Sequence, residues 1–359
     1  MRRNYLAVLL IASLCVIATP AQSEVVSADT KMSLVKTITG DISPKSVRSS
    51  GSGLVSAHNM MYRHSVTIYD ANTFELVKTV SDSVQLSKFG YSKYTSTYRG
   101  APVEGAFSAD GKYLYVTNYA MYGKGFNREG HDTCSPASKY DSSFLYRINL
   151  ANYEIDNVYP VGSVPKVVET TPNNKFVLVS NWCSYDLTVI SVETQKSIKT
   201  IKIGRYPRGI AVSNDSKFAY VAEMGGNRIH VINLEDFSIT YIPIGNNPRA
   251  IVLSPDNSMM YVTMNLSGKV ASWDLVSNKA GKSAKTGKAA RSLAISSDGT
   301  ALFVVNFVSD TMSKVRTSDM KVLQNIKVCD EPIGITFDSP TSRTWVACYG
   351  GSVKIFDNK

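Results

Sequence analysis

The sequence repeats itself at a nearly constant interval. Pro165, Pro207, Pro248, Ala290 and Pro332 stand at equivalent positions, and successive members lie 42, 41, 42 and 42 residues apart. After each of these positions come a short apolar strand, a turn, an aromatic-valine strand and two further strand-like stretches. Four short strands in about 42 residues are typical of one blade of a β-propeller. The period therefore predicts an all-β chain built from such blades.

Two longer units precede these five and bring the number of blades to seven. They begin at Pro44 and Pro102 and run 58 and 63 residues. The extra length predicts insertions at about 81–101 and 119–141. Insertions in repeat proteins fall in loops, often on the binding face.

The two ends of the chain complement each other. The seventh unit stops after three strands, whereas residues 31–41 resemble a fourth strand. We therefore expect the N-terminal strand to complete the last blade, which closes the ring and removes an open edge. The alternative is an open arc with a loose N-terminal arm. The expected domain is a single seven-bladed β-propeller over residues 24–359.

Residues 1–23 have the pattern of a secretory signal peptide. Two arginines precede an apolar run over residues 5–17, and the small residues Ala21 and Ser23 follow it. The run is too short for a spanning helix, and no later segment is long and apolar enough for one. We expect an exported protein of the periplasm, the cell envelope or the extracellular space, without a membrane span.

Four cysteines lie outside this segment, and an even number in an oxidising compartment is most simply two disulfides. Cys134 and Cys183 fall in corresponding loops of neighbouring blades, and Cys329 and Cys348 end strands near the same face. These positions predict the pairs Cys134–Cys183 and Cys329–Cys348. No Cys-x-x-Cys pair is present and no histidine spacing matches a metal motif, so we expect no metal.

A strand-ending motif carries a family resemblance. Residues 115–118 read Tyr-Val-Thr-Asn, and variants occupy 220–223, 261–264 and 303–306. The chain resembles the YVTN-repeat β-propellers, which are secreted or envelope proteins of bacteria and archaea, over essentially the whole mature chain. The resemblance implies the fold. It leaves open surface-layer modules, binding proteins, subunits of periplasmic oxidoreductases and, in the lactonase-like branch, hydrolases.

The residue after each unit start is basic in five of the seven units. These residues are Lys45, Lys166, Arg208, Arg249 and Arg291. In a propeller the loop that enters the first strand opens at the channel mouth, so we expect these side chains to form a partial ring there. Like charges gathered in one place favour a bound anion. The alternative is that they point to solvent or pair with acids as struts between blades.

Three residues beside this ring are further candidates for ligand binding. Asn118 and Asn181 end second strands, where they either contact a ligand or cap a turn through backbone groups. Trp182 is either offered to a ligand or packed under the neighbouring insertion.

Glu104, Glu223 and His131 are the candidates for acid/base catalysis, and they are scattered over several blades. For Glu104 the structural alternative is an ion pair with Arg48, since a buried unpaired charge is expensive. A Gly-rich phosphate loop, a nucleophile elbow and a haem attachment motif are absent from the sequence, and we expect no cofactor.

The leading interpretation is a monomeric, secreted cell-envelope propeller that acts as a binding or interaction module. Its 39 Lys and Arg residues against 29 Asp and Glu give a net charge of +10, which favours anionic partners. We expect an anionic small molecule or polymer at the basic face, or another envelope protein, whereas nucleic acid would bind only unspecifically. The alternatives are a lactonase-like hydrolase and a propeller subunit of a periplasmic redox enzyme.

Overall fold

The computed structural model describes residue 28 and residues 30–358. Its strands form seven antiparallel sheets, six with four strands and one with five. The sheets follow one another along the chain, except that the first strand joins the last sheet. The predicted all-β, seven-bladed propeller is confirmed. The signal peptide predicted at residues 1–23 lies outside the described residues.

The strands of this described part are, in chain order, β1 Ser33–Ile38, β2 Ser46–Ser49, β3 Leu54–Asn59, β4 Ser65–Asp70, β5 Leu76–Ser81, β6 Ser83–Val84, β7 Tyr98–Phe107, β8 Tyr113–Tyr122, β9 Phe144–Asn149, β10 Glu154–Pro160, β11 Pro165–Thr170, β12 Phe176–Asn181, β13 Asp186–Ser191, β14 Lys196–Lys202, β15 Pro207–Val212, β16 Phe218–Glu223, β17 Arg228–Asn233, β18 Ile239–Pro243, β19 Pro248–Leu253, β20 Met259–Met264, β21 Lys269–Asp274, β22 Lys279–Lys285, β23 Ala290–Ile295, β24 Ala301–Asn306, β25 Thr311–Arg316, β26 Lys321–Lys327, β27 Pro332–Asp338, β28 Arg343–Cys348 and β29 Ser352–Asp357. Three short 3₁₀ helices span Leu86–Phe89, Pro136–Ser138 and Phe307–Ser309.

Blade 1 consists of β2–β5, blade 2 of β6–β10, and blades 3 to 6 of four consecutive strands each, from β11 to β26. Blade 7 contains β27, β28, β29 and β1. Within a blade the second and third strands are buried and the fourth is exposed, as in β12, β13 and β14. The core therefore lies between neighbouring blades, where the middle strands of adjacent sheets pack face to face.

A recurring Ser-x-Asp turn joins the first and second strands of several blades. In blade 4 the Ser213 hydroxyl donates to Asp215 at 2.6 Å, and both side chains accept backbone N–H groups at the start of β16. The same arrangement occurs at Ser108–Asp110, Ser254–Asp256 and Ser296–Asp298. Side chains that satisfy backbone groups in this way fix the turn that each blade repeats.

The N-terminal strand closes the ring, as predicted. β1 pairs antiparallel with β29, from Ser33 opposite Asp357 to Ile38 opposite Val353. Blade 6 holds the segment just before β1, because the Gln324 side chain exchanges two hydrogen bonds with the backbone of Met32, at 2.7 and 3.1 Å. The N-terminal segment is therefore bound to both blade 7 and blade 6.

Both insertions belong to the first two blades, and part of each is strand. The first adds β6 to the edge of blade 2 and includes the 3₁₀ helix Leu86–Phe89. β7 and β8 are ten residues long, so strand structure extends to Tyr122 before the second insertion leaves the sheet. The remainder of that insertion reaches blade 3.

Two disulfides, Cys134–Cys183 and Cys329–Cys348, confirm the predicted pairing. The first ties the second insertion to the end of β12, and the second joins the loop after β26 to the end of β28. Disulfides of this kind indicate an oxidising, extracytoplasmic compartment. In the part of the chain that is described, no helix is long and apolar enough to cross a membrane.

Deleting residues 24–41 should lower the melting temperature strongly and cause association, because the deletion leaves the edge of β29 unpaired. Gln324→Ala is the matched milder change. It keeps β1 but removes two hydrogen bonds, so it should cost about 2 kcal/mol and leave the protein monomeric. Thermal melts and size-exclusion chromatography measure both effects. A truncated protein that melts like the full chain and stays monomeric would contradict this role of β1.

Replacing both cysteines of either disulfide by alanine should lower the free energy of unfolding by about 2–4 kcal/mol. The loss should be larger for Cys134–Cys183, because it closes a loop of 49 residues against 19 for Cys329–Cys348. Peptide mapping without reduction checks the pairing, and denaturant unfolding checks the energies. Four free thiols or a crossed pairing would disprove the assignment.

Candidate functional site

One cavity of about 790 Å³ lies at the mouth of the central channel, where loops from all seven blades meet. All five basic residues that the repeat places there line it: Lys45, Lys166, Arg208, Arg249 and Arg291. We call these five residues the basic ring. Four of them are the second residues of β11, β15, β19 and β23, and Lys45 directly precedes β2. The repeat therefore places one cation from each of five blades at this cavity.

Local backbone geometry recurs at the positions that carry four of these side chains. The residue two positions before each has a positive φ: Val164 at 54°, Tyr206 at 57°, Asn247 at 56° and Ala289 at 56°. This left-handed conformation is unfavourable for residues with a Cβ, and most of all for the β-branched Val164. Directly afterwards the pairing of the first and second strands shifts register in each of these blades. Such bulges re-aim side chains, here toward the axis.

The basic ring is largely removed from water. Lys45, Lys166, Arg208 and Arg249 are only 8, 5, 6 and 7% exposed. Lys166 Nζ lies 3.0 Å from Asp132 Oδ1, and Arg208 Nη2 lies 3.9 Å from Glu104 Oε1. The Arg291 guanidinium covers the Phe307 ring at 3.6 Å from its centroid. The ring is thus a set of buried cations with few counter-ions.

Burial and mutual repulsion lower the pKa values of the ring. Burial and then the Arg208 guanidinium lower the pKa of Lys166 to about 7, although Asp132 opposes the shift. Burial, Arg208 and Arg249 hold the pKa of Lys45 well below its usual range. Burial and Arg208 lower the pKa of Arg291 to about 10. A negative charge placed among these groups would reverse each shift.

A second repeat position forms the wall above the ring. In six blades the residue directly after the second strand lines the cavity, and in blade 2 the equivalent residue, Tyr119, lies within β8. Six of these seven residues are apolar or aromatic. These seven residues are Met60, Tyr119, Trp182, Met224, Asn265, Phe307 and Tyr349. We call them the wall residues. The cavity is therefore lined by the basic ring, by these mostly apolar or aromatic residues and by polar side chains such as His64, Glu129 and Glu331.

Trp182 combines the two alternatives that the sequence leaves open, since it both borders the cavity and packs under the second insertion. It lines the cavity, and its ring stacks on Tyr206 with centroids 4.4 Å apart. Its indole N–H donates to the backbone oxygen of Asp132 at 2.9 Å. The residue is thus packed under the second insertion while one part of it borders the cavity.

Asn118 and Asn181 are fully buried and are not among the residues that line the cavity. Asn118 Nδ2 donates to the backbone oxygen of Phe144, at the start of the third strand of blade 2. Asn181 Nδ2 donates to Asp186 and Thr188 of β13. Both side chains bond to the third strand of their own blade, and we do not include them in the candidate site.

The three catalytic candidates have separate surroundings. Glu104 borders a second cavity of about 320 Å³ that is lined by first strands. Glu223 lies 3.1 Å from both His230 and Arg228 and is not among the residues that line either cavity. His131 is exposed on the second insertion, where its Nδ1 accepts the N–H of Thr133. The structure does not bring these three residues together.

The ion pair between Arg48 and Glu104, which the sequence offers as the structural alternative for Glu104, is not formed. Arg48 Nη2 lies 2.6 Å from Glu169 Oε1 instead, so the pair joins blades 1 and 3 across the lower channel. The Glu104 carboxylate is directed at Arg208 of the basic ring. In both of these ion pairs the two side chains come from blades that are two apart in the ring.

Sequence reasoning missed Asp132 and the wall residues other than Trp182. Asp132 comes from the second insertion, which has no counterpart in other blades, and its only signal is its position two residues before Cys134. The wall residues recur in every blade. They lie one residue after the strand-ending position, at which Asn118 and Asn181 are considered as ligand contacts. Among the described residues, no group of three His, Cys, Asp or Glu side chains is placed to hold a metal ion.

Comparison with known proteins supports the fold and a distant relationship. No family model matches the chain, so the YVTN resemblance rests on the repeat motifs. Antigen Lp49 of Leptospira interrogans serogroup Icterohaemorrhagiae serovar copenhageni is 33% identical over 152 residues, which are 40% of this chain and 33% of the antigen. The chain thus spans about a third of that relative's length.

Hydrazine synthase of Kuenenia stuttgartiensis has a similar structure, with a TM-score of 0.68 and 15% sequence identity. The superposition covers 89% of this chain and 96% of the other. At this identity the likeness shows the fold alone. Taken together, these comparisons describe a seven-bladed β-propeller related to an antigen.

Proposed function

We propose that this chain is an extracytoplasmic binding protein that holds a small anionic ligand in the channel-mouth cavity. The observation that carries the proposal is the convergence of five cations, four of them buried, on one cavity floor. The fold does not require charge at this repeat position, since Val103 and Ile333 occupy it in blades 2 and 7.

The energetics of the basic ring support ligand binding over a structural role. Buried like charges repel each other and lose hydration. These two unfavourable effects lower the pKa values of Lys45, Lys166 and Arg249. If these cations had a structural role between blades, they would have to stabilise the protein by pairing with acidic side chains. A cluster of poorly paired cations instead stabilises an anion placed among them, through charge-assisted hydrogen bonds in a site of low dielectric constant.

The depth of the ring favours a small molecule over a polymer. Four of the five cations expose less than a tenth of their surface, and all five line the same cavity as the wall residues. A stiff duplex or a polysaccharide chain would lie across the mouth and leave most of these charges without contact. We therefore favour a small anion over the polymer, nucleic-acid and envelope-protein alternatives.

The enzyme alternatives receive less support. A lactonase-like hydrolase would need an acid/base set at one place, and Glu104, Glu223 and His131 occupy three separate surroundings. A redox subunit would need a partner chain, and the likeness to hydrazine synthase extends to the fold alone.

Changing Arg208 and Arg249 together to alanine should weaken binding of citrate at least tenfold and leave the melting temperature of the free protein nearly unchanged, since poorly paired cations contribute little stability. Isothermal titration calorimetry and thermal melts measure the two effects. The matched control is Lys279→Ala with Lys282→Ala, which removes the same charge from the exposed strand β22. If the arginine variant binds citrate like the wild type but melts far lower, the arginines are struts.

Binding of citrate should weaken by about tenfold as pH rises from 6 to 9, because Lys166, with a pKa of about 7, loses its charge in this range. The groups that act on Lys166 are Asp132, which favours its charge, and Arg208 and Arg249, which oppose it. Lys166→Arg keeps a permanent charge and should reduce the pH dependence. Calorimetry across this range is the measurement. An affinity that rises with pH would contradict the assignment.

A further inference from the structure

Three cations of the basic ring, Lys45, Arg208 and Arg249, have head groups without a close acidic partner. In the part of the chain that the structure describes, no carboxylate oxygen lies within 4.0 Å of Lys45 Nζ or of the Arg249 guanidinium. The nearest approach of Arg208 to Glu104 is 3.9 Å, between Nη2 and Oε1, which is beyond hydrogen-bond distance. All three side chains are more than nine-tenths buried, and all three line the cavity. Since ammonium and guanidinium groups only donate hydrogen bonds, these three need acceptors from a ligand.

The three head groups lie near one another, although they come from opposite sides of the channel. Lys45 belongs to blade 1, whereas Arg208 and Arg249 belong to blades 4 and 5. Side chains from blades two apart meet in this channel, as the Arg48–Glu169 pair at 2.6 Å shows. Burial, then Arg208 and Arg249, lower the pKa of Lys45, and burial and Arg208 lower the pKa of Arg249. Charges act on each other in this way at short range, so the three cations converge on one region.

Convergence from opposite sides favours a tetrahedral anion over a carboxylate. The two oxygens of a carboxylate lie on one side of its carbon atom, so this group suits donors that approach from one direction. A phosphoryl group has three strong acceptor oxygens, which point in different directions around the phosphorus atom. Arginine and lysine both bind phosphate groups. One phosphoryl group can therefore accept hydrogen bonds from donors on both sides of the channel.

The balance of charge around the ring also favours a dianion. Burial and neighbouring cations lower the pKa values of Arg249 and Arg291, and three carboxylates oppose these shifts: Glu104, Asp132 and Glu331. A further carboxylate at the cavity, Glu129, accepts the Tyr122 hydroxyl at 2.6 Å. The five cations of the ring against the three opposing carboxylates leave two positive charges. A phosphoryl group has a charge of about −2 near neutral pH, whereas one carboxylate has a single charge.

We infer that Lys45, Arg208 and Arg249 hold the phosphoryl group of inorganic phosphate or of a phosphate monoester. The inference rests on the proposed function and specifies the ligand of the same cavity. The oxygens of the phosphoryl group accept hydrogen bonds from these three head groups. Lys166 and Arg291 already have other contacts and add positive charge nearby.

The cavity has room for more than a phosphoryl group. Its volume of about 790 Å³ is in the range of pockets that hold whole small molecules. Side chains that form hydrogen bonds line other parts of it, among them His64, Asn265 and Glu331. The organic part of a monoester therefore fits in the same cavity, whereas free phosphate leaves the remaining volume to water. The two sources of the phosphoryl group differ in this respect, and binding measurements distinguish them.

The test compares four probes by calorimetry at pH 7.5: inorganic phosphate, glycerol 3-phosphate, malonate and dimethyl phosphate. The better of the first two should bind at least tenfold tighter than malonate, whose two charges are on planar carboxylates, and than dimethyl phosphate, which is tetrahedral but has one charge. Equal binding of malonate would overturn the tetrahedral group, and equal binding of dimethyl phosphate would overturn the two charges. Tighter binding of inorganic phosphate identifies the free ion as the ligand, and tighter binding of glycerol 3-phosphate identifies a monoester.

Variants locate the phosphoryl group. Lys45→Met and Arg249→Met should each lower the affinity for the better phosphoryl compound about tenfold, because each removes a charge-assisted hydrogen bond. Lys282→Met on the exposed strand β22 is the control and should not change the affinity. Arg249→Lys keeps the charge and should lose less affinity than Arg249→Met. Unchanged affinity in both methionine variants would overturn the site. The comparison of probes uses the unaltered chain, so it remains decisive if a variant fails to fold.

The outcomes also separate this inference from the proposed function. Phosphate should displace citrate, since both occupy the same cations. If citrate binds and depends on Arg208 and Arg249, but the phosphoryl compounds have no advantage over malonate, only the ligand class is wrong. If no anion binds in a way that depends on these arginines, both proposals fail.

Discussion

Pairing of the first strand with the last is the constraint on which the rest of the structure depends. A propeller blade buries its faces only against two neighbours, so one open joint would expose apolar surface on both sides of the gap. β1 supplies the missing outer strand of blade 7, and Gln324 and the fully buried Lys314 of blade 6 bind the residues before it. With the ring closed, seven first strands surround one channel. Only then do cations from five different blades share a cavity.

Four residues of the basic ring follow the same strained backbone conformation, which the repeat places in successive blades around one cavity. In blades 3 to 7 the bulged first strand follows a residue in a left-handed conformation, a combination that costs backbone energy in each of these blades. The result is that side chains from separate blades turn toward the axis. Most of the molecule is stabilised by apolar packing between blades, as in the cluster that joins Leu178 of blade 3 to Ile210 of blade 4. The apolar packing between blades thus offsets the unfavourable free energy of the charges that are gathered at the site.

The sequence predicts whatever the repeat governs and little of what departs from it. The blade number, the closure by residues 31–41, both disulfides and the placement of the basic ring follow from period and position. Asp132 does not, because an insertion without counterparts has no register from which to read its path. Asn181, a candidate for ligand binding, lies one residue before Trp182, which lines the cavity, and is itself buried outside it. Neighbouring residues at a strand end point to opposite faces, so this single step separates a buried tie between strands from a cavity-lining side chain.

The order of synthesis gives the closing strand a particular place in folding. β1 is made before any other described strand, yet its partner β29 is the last of the described strands. The ring therefore cannot close until the strands of all seven blades have been made, and this long-range pairing contributes to slow folding. Until then the outer face of β29 remains an unpaired edge. The protein passes through a stage in which six blades can be complete while the seventh still lacks its outer strand.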